Sequence, residues 1–165
     1  MTVVSSHTDP EALTLTFVAE FDASVERVWQ LWEDPRQLER WWGPPIWPAT
    51  FDRHDFVPGG KSRYYMTGPD GERARGWWVT TAIHSPERLE FDDGFADDNG
   101  EPTGDLGATH AVVTLEQFDA RTRMTIFSTF ESADQLQKMM EMGMEEGMRE
   151  AMGQIDSLLA EKVRA

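Results

Sequence analysis

The chain has no cysteine. That excludes disulfides, zinc–thiolate centres and thiol catalysis, and it removes any need for an oxidising compartment. It is poor in positive charge, with 15 Lys and Arg against 30 Asp and Glu, a formal net charge of −15. Such a surface repels phosphate backbones and anionic lipid, so neither nucleic acid nor a membrane surface is an expected partner. No apolar run approaches the roughly 20 residues that span a bilayer. The first ten residues carry neither the basic nor the apolar segment of a signal peptide, so a cytoplasmic location is expected. Nucleophile elbow, phosphate loop and dinucleotide fingerprint are all missing, and no cofactor is expected. His7, His54, His84 and His110 lack metal-ligand spacing, and residues 97–101 (D-D-N-G-E) lack the alternating ligands of a calcium loop.

What is abundant is apolar bulk, with 7 Trp, 9 Met and 9 Phe in 165 residues. That suffices for one core in a chain of single-domain length. Residues 1–10 read as a flexible N-terminal tail and 11–165 as one domain. Residues 12–21 (A-L-T-L-T-F-V-A-E-F) alternate apolar and polar, the pattern of a strand. Ser24 then caps a short helix with Val25, Val28, Trp29 and Trp32 on one face, and Pro35 opens a second one. Six β-like segments follow, at 49–57, 61–67, 75–84, 88–95, 109–118 and 121–130. Pro58-Gly59-Gly60 and Gly68-Pro69-Asp70-Gly71 are turns between them. Residues 92–106, acidic and glycine-rich, read as a mobile loop. Ser132 and Gln135 form a capping box. From there Met140, Met144, Met148, Ala151, Ile155, Leu158 and Leu159 predict one long helix. The order specifies an α+β fold, a curved antiparallel sheet packed on that C-terminal helix.

The element order, together with W-W-G-P (41–44), H-D-F-V-P-G-G (54–60), Y-Y-M-T-G-P-D-G (64–71), P-E-R-L-E-F (86–91) and M-G-M-E-E-G-M (142–148), resembles the START-like, or SRPBCC, superfamily. Within it, the chain looks like a bacterial member of the family named for the C-terminal domain of the activator of the heat-shock chaperone ATPase. The resemblance implies a helix-grip fold with a cavity between sheet and helix. Relatives often carry arginine where this chain has Val57, and some an aromatic where it has Ser62. That change either enlarges the cavity or leaves space for Trp77.

Several side chains are candidates for the cavity wall. Residues 36–48 (R-Q-L-E-R-W-W-G-P-P-I-W-P) would place Trp42 and Trp47 at its mouth, where aromatic rings with a polar handle suit half-buried positions. If Phe56 faces inward, a period of two brings His54 and Asp52 with it. Ser62, Tyr64 and Met66 share a face assigned inward, and Trp77, Phe95, Met144 and Met148 complete the ligand-binding set. Methionine fills irregular gaps or forms a deformable apolar wall. Met139 and Met142 fall off the helical stripe, as exposed or partner-facing residues. Three functions are compatible with this pattern. The first is binding of a small hydrophobic or aromatic molecule, with His54 and Tyr64 fixing its orientation. The second is a cyclase- or dehydratase-type enzyme in which His54 moves a proton and Tyr64 stabilises negative charge. The third is an interaction protein, a chaperone partner or a homodimer.

Overall fold

The computed structural model describes residues 3–104 and 107–161. Eight strands, β1 (Val3–Asp9), β2 (Thr14–Phe21), β3 (Ala49–His54), β4 (Lys61–Thr67), β5 (Arg73–His84), β6 (Arg88–Ala96), β7 (Thr109–Phe118) and β8 (Arg121–Thr129), form one antiparallel sheet. Its spatial order is β1-β2-β8-β7-β6-β5-β4-β3. Helices α1 (Val25–Glu33) and α2 (Pro35–Leu38) link β2 to β3, and α3 (Ala133–Glu141), α4 (Met144–Gly153) and α5 (Ile155–Ala160) follow β8.

Alternation decides which side of the sheet is covered. Leu15, Phe17, Ala19 and Phe21 of β2 are buried, as are Ala111, Val113 and Leu115 of β7 and Leu89 and Phe91 of β6. They share one core with Leu136, Met139, Met152, Ile155 and Leu158 from the C-terminal helices. Trp32 of α1 lies inside it, with ring centroids of Trp41 at 4.8 Å, Trp42 at 5.9 Å and Trp78 at 6.1 Å. Ser24 caps α1 through its side chain, which accepts from the Arg27 amide at 3.2 Å. This is the sheet-on-helix packing the element order specifies, in the helix-grip form the resemblance implies.

Four local expectations are corrected. The flexible tail is an edge strand over Val3–Asp9, paired with β2 from Val3↔Glu20 to Asp9↔Thr14. Backbone hydrogen bonds hold it, which residue type does not advertise. The mobile loop begins only after Ala96, because β6 continues through Asp92, Asp93 and Gly94. The last two residues of that segment, 105–106, lie outside the described residues. A register shift between Phe51 and Arg53 bulges β3, so Asp52 is exposed while Phe51 and His54 turn inward. A bulge inserts one residue and resets the period of two. Finally, the single long helix is broken. Gly143 adopts φ 82°, left-handed geometry that glycine enters without a steric penalty, and α4 starts afresh from it.

Candidate functional site

The corner between α2 and β3 sets one end of the site. Gly43 has no room for a side chain, since a Cβ there would lie 2.0 Å from the Trp47 carbonyl oxygen. Its own carbonyl accepts from Gln154 Nε2 at 2.6 Å, which ties the corner to the C-cap of α4. Trp41 is buried, and its indole donates to the Leu31 carbonyl at 3.0 Å. Trp42 turns towards the space between the sheet and the broken helix.

That space is a cavity of about 270 Å³. Its floor is Tyr64 and Met66 of β4, Asp93, Gly94 and Phe95 of β6, and Thr109 of β7. Its roof is Met139, Met142, Gly143, Met144, Gly147 and Met148, and Trp42 and Pro44 close the end. Trp42, Tyr64, Met66, Phe95, Met144 and Met148 therefore lie together, as the sequence placed them. Met139 joins them from a buried position, and Met142, 61% exposed, stands at the mouth. The helix break explains both, because one stripe does not continue through a left-handed residue.

Trp47, His54 and Trp77 do not line this cavity. Trp47 packs on the turn at Gly68, where a Cβ would come within 2.7 Å of its ring. Trp77 alternates with the inward Gly76 and Trp78, so its ring covers Gly94 from the other face of the sheet. His54 is a structural pin. Its Nε2 is 2.8 Å from the Trp32 carbonyl oxygen and its Nδ1 2.8 Å from the Ser62 hydroxyl. A carbonyl only accepts, so Nε2 carries the proton and Nδ1 accepts from Ser62. Burial holds the imidazole below its ordinary pKa, against opposing help from the Trp32 carbonyl. With both nitrogens engaged and no hydrogen bond to Tyr64 among the described residues, the pairing expected of His54 and Tyr64 is not formed.

The carboxyl of the cavity wall, that of Asp93, is one the sequence reading passed over. Leu89, Phe91, Asp93 and Phe95 occupy alternate positions of β6, so Asp93 faces inward among apolar neighbours. Asp93 is paired with Trp78 on one side and Thr109 on the other. Asp93 is half-buried and lines the cavity, and among the described residues its carboxyl makes no hydrogen bond. Burial first, and the neighbouring Asp92 charge second, push its pKa up to about 7. The Tyr64 phenol is raised far above its usual range by burial and then by Asp93. The Trp42 indole N–H lies near enough to the Tyr64 hydroxyl to offset part of that rise. Among the described residues it makes no hydrogen bond. The signal for Asp93 was the period of two running from Leu89 to Phe95, masked by D-D-G, which reads as a turn.

An eight-stranded antiparallel sheet gripping a C-terminal helical segment, with a closed-ended apolar cavity between them, defines a START-like protein. The family described as "Activator of Hsp90 ATPase homolog 1-like protein" matches residues 22–160, and the chain belongs to it. A protein from Arthrobacter aurescens with a solution structure is 66% identical, with a TM-score of 0.93 over 99% of this chain and 95% of that one. The crystal structure of a Mycobacterium smegmatis protein is 45% identical, with a TM-score of 0.89 over 99% and 100% of the two chains. A Rhodobacter sphaeroides protein at 22% identity shares the fold, with a TM-score of 0.83 over 96% and 99%. A comparison with curated proteins finds no match. Among the described residues no group of acidic or histidine side chains is arranged to hold a metal ion. Nor is any helix long and apolar enough to cross a membrane.

Proposed function

We propose that the protein binds a small, largely apolar molecule in the cavity between β4, β6 and β7 below and α3 and α4 above. The observation that supports this most is the composition of the wall. Met66, Met139, Met142, Met144 and Met148 surround the space with unbranched, polarisable side chains that adapt to a guest. Its volume of about 270 Å³ compares with the ~150 Å³ apolar cavity that takes up benzene. A bicyclic compound therefore fits. Burying about 250 Å² of its apolar surface is worth about 6 kcal/mol before the cost of association. Dissociation constants near or above about 0.1 mM then follow for a plain hydrocarbon, so tests need near-millimolar ligand.

The experiment is native mass spectrometry followed by thermal denaturation with indane. A saturable rise in melting temperature supports the reading, because a ligand of the folded state stabilises in proportion to RT ln(1 + [L]/Kd). Gly147 offers the control. It lines the roof, and a Cβ there meets nothing within 4 Å. Gly147→Phe is expected to fill the cavity and remove the response. An indane response that persists in that variant would place binding elsewhere.

A further inference from the structure

The polar atoms of the cavity gather at one end, and β-register explains how. Tyr64 pairs with Gly76 of β5, which pairs with Phe95 of β6. Because Gly76 has no side chain, the tyrosine ring lies flat across β5: a Cβ at Gly76 would sit 2.4 Å from the Tyr64 hydroxyl oxygen. The hydroxyl thereby reaches towards β6, where Asp93 stands one inward position before Phe95. Trp42 meets Tyr64 edge-on, with ring centroids 6.2 Å apart, and among the described residues its buried indole N–H has no hydrogen-bond partner. A buried donor left unpaired costs free energy that a ligand acceptor recovers.

We propose that the ligand carries an uncharged carbonyl oxygen, bound where the Trp42 indole N–H, the Tyr64 hydroxyl and the Asp93 carboxyl converge, and that an amine of the same shape is disfavoured. This inference rests on the binding role proposed for the cavity. Its basis is an inventory of donors and acceptors. The indole only donates; the hydroxyl is free to donate; a protonated carboxyl donates as well. A carbonyl oxygen accepts from them and brings no hydrogen of its own that needs a partner. An ammonium has donors only, so it leaves the indole unpaired and requires an ionised Asp93 in apolar surroundings, a buried pair whose desolvation offsets its attraction.

The charge state of Asp93 gives the inference a pH signature. The ionisable groups around it are few. Tyr64 approaches from β4; β5 and β7 present Trp78 and Thr109; the roof presents methionine and glycine. Asp92 points to the opposite face of the sheet, where His110 Nδ1 lies 2.7 Å from its Oδ1 and His110 Nε2 lies 3.3 Å from Glu90. Below about pH 7 the Asp93 carboxyl keeps its proton and donates; above, it opposes a carbonyl with a second acceptor.

The test compares dissociation constants for indane, 1-indanone and 1-aminoindane by calorimetry, at about pH 5.5 and about pH 8.5. At the lower pH, 1-indanone should bind about three- to tenfold tighter than indane, the range of one neutral hydrogen bond, and 1-aminoindane should bind most weakly. The 1-indanone preference should shrink at the higher pH. In Asp93→Asn, whose carboxamide still donates, it should persist at both, which separates Asp93 from the nearby His110. In Trp42→Phe the ratio of 1-indanone to indane affinity should fall, with circular dichroism confirming the fold. Tighter binding of 1-aminoindane than 1-indanone at about pH 5.5, or equal affinities for all three compounds, would overturn the carbonyl assignment and leave the cavity reading in place. No binding of any of the three would overturn the cavity reading, and this inference with it.

Discussion

An aspartate facing methionine and tryptophan keeps its proton long after an exposed one has lost it. The Asp93 carboxyl titrates near 7 in the folded protein against an ordinary value of 3.8. Between those values the folded form holds a proton that the unfolded chain releases, so this group's contribution to stability falls as pH rises through the window. Asp93→Asn removes the dependence. Relative to wild type, the variant should gain roughly 2 kcal/mol between about pH 5 and about pH 8.5. Urea denaturation at both values measures it, and an advantage that shrinks as pH rises contradicts the assignment. His54 makes a contrasting case. His54→Leu leaves the Trp32 carbonyl and the Ser62 hydroxyl without their partner, at a cost of about 1–3 kcal/mol. Indane binding, measured well below the melting temperature, should nonetheless survive, since His54 does not reach the cavity.

At the scale of elements, the roof of the cavity depends on two glycines with opposite requirements. Gly143 adopts left-handed geometry, so Gly143→Ala should cost about 1 kcal/mol. Gly147 is helical with open space around it, and Gly147→Ala should stabilise α4 by about 0.5–1 kcal/mol. Thermal melts of the two variants should move in opposite directions. The edge strand matters to the same roof. Arg149 of α4 donates to the Ser6 hydroxyl at 2.5 Å, and Thr8 donates to Glu145 at 3.3 Å. What the sequence disclosed and withheld about these elements follows one rule. Thr109–Phe118, with its strong alternation, and Lys61–Thr67, set between two glycine turns, are bounded where the residues predict. β1 was hidden because S-S-H-T-D has no apolar face; it is recruited by the free edge of β2. Asp93 was hidden because an inward carboxylate breaks the very pattern that marks a strand. The bulge at Asp52 and the break at Gly143 each interrupt a period, and so placed Asp52 and Met139 where counting alone did not.

For the whole molecule, charge is the governing quantity. An excess of fifteen negative charges repels itself across a small surface, and salt screens that repulsion over a Debye length of about 10 Å at 0.1 M. Ion pairs such as Arg40 with Glu161 and Arg121 with Asp22 lie at the exposed surface and offset little of it. The melting temperature should therefore rise by a few degrees between low salt and about 0.3 M sodium chloride. A fall would show that the surface pairs outweigh the net repulsion. The methionine roof has a consequence of another kind. Thioether sulfur is the atom in an apolar wall that peroxide converts to a strong dipole, the sulfoxide. Met142, at the mouth, is open to the reagent, while Met139 is shielded behind it. Mild oxidation should thus alter the entrance before the interior, and a guest would meet a polar threshold in front of an unchanged chamber.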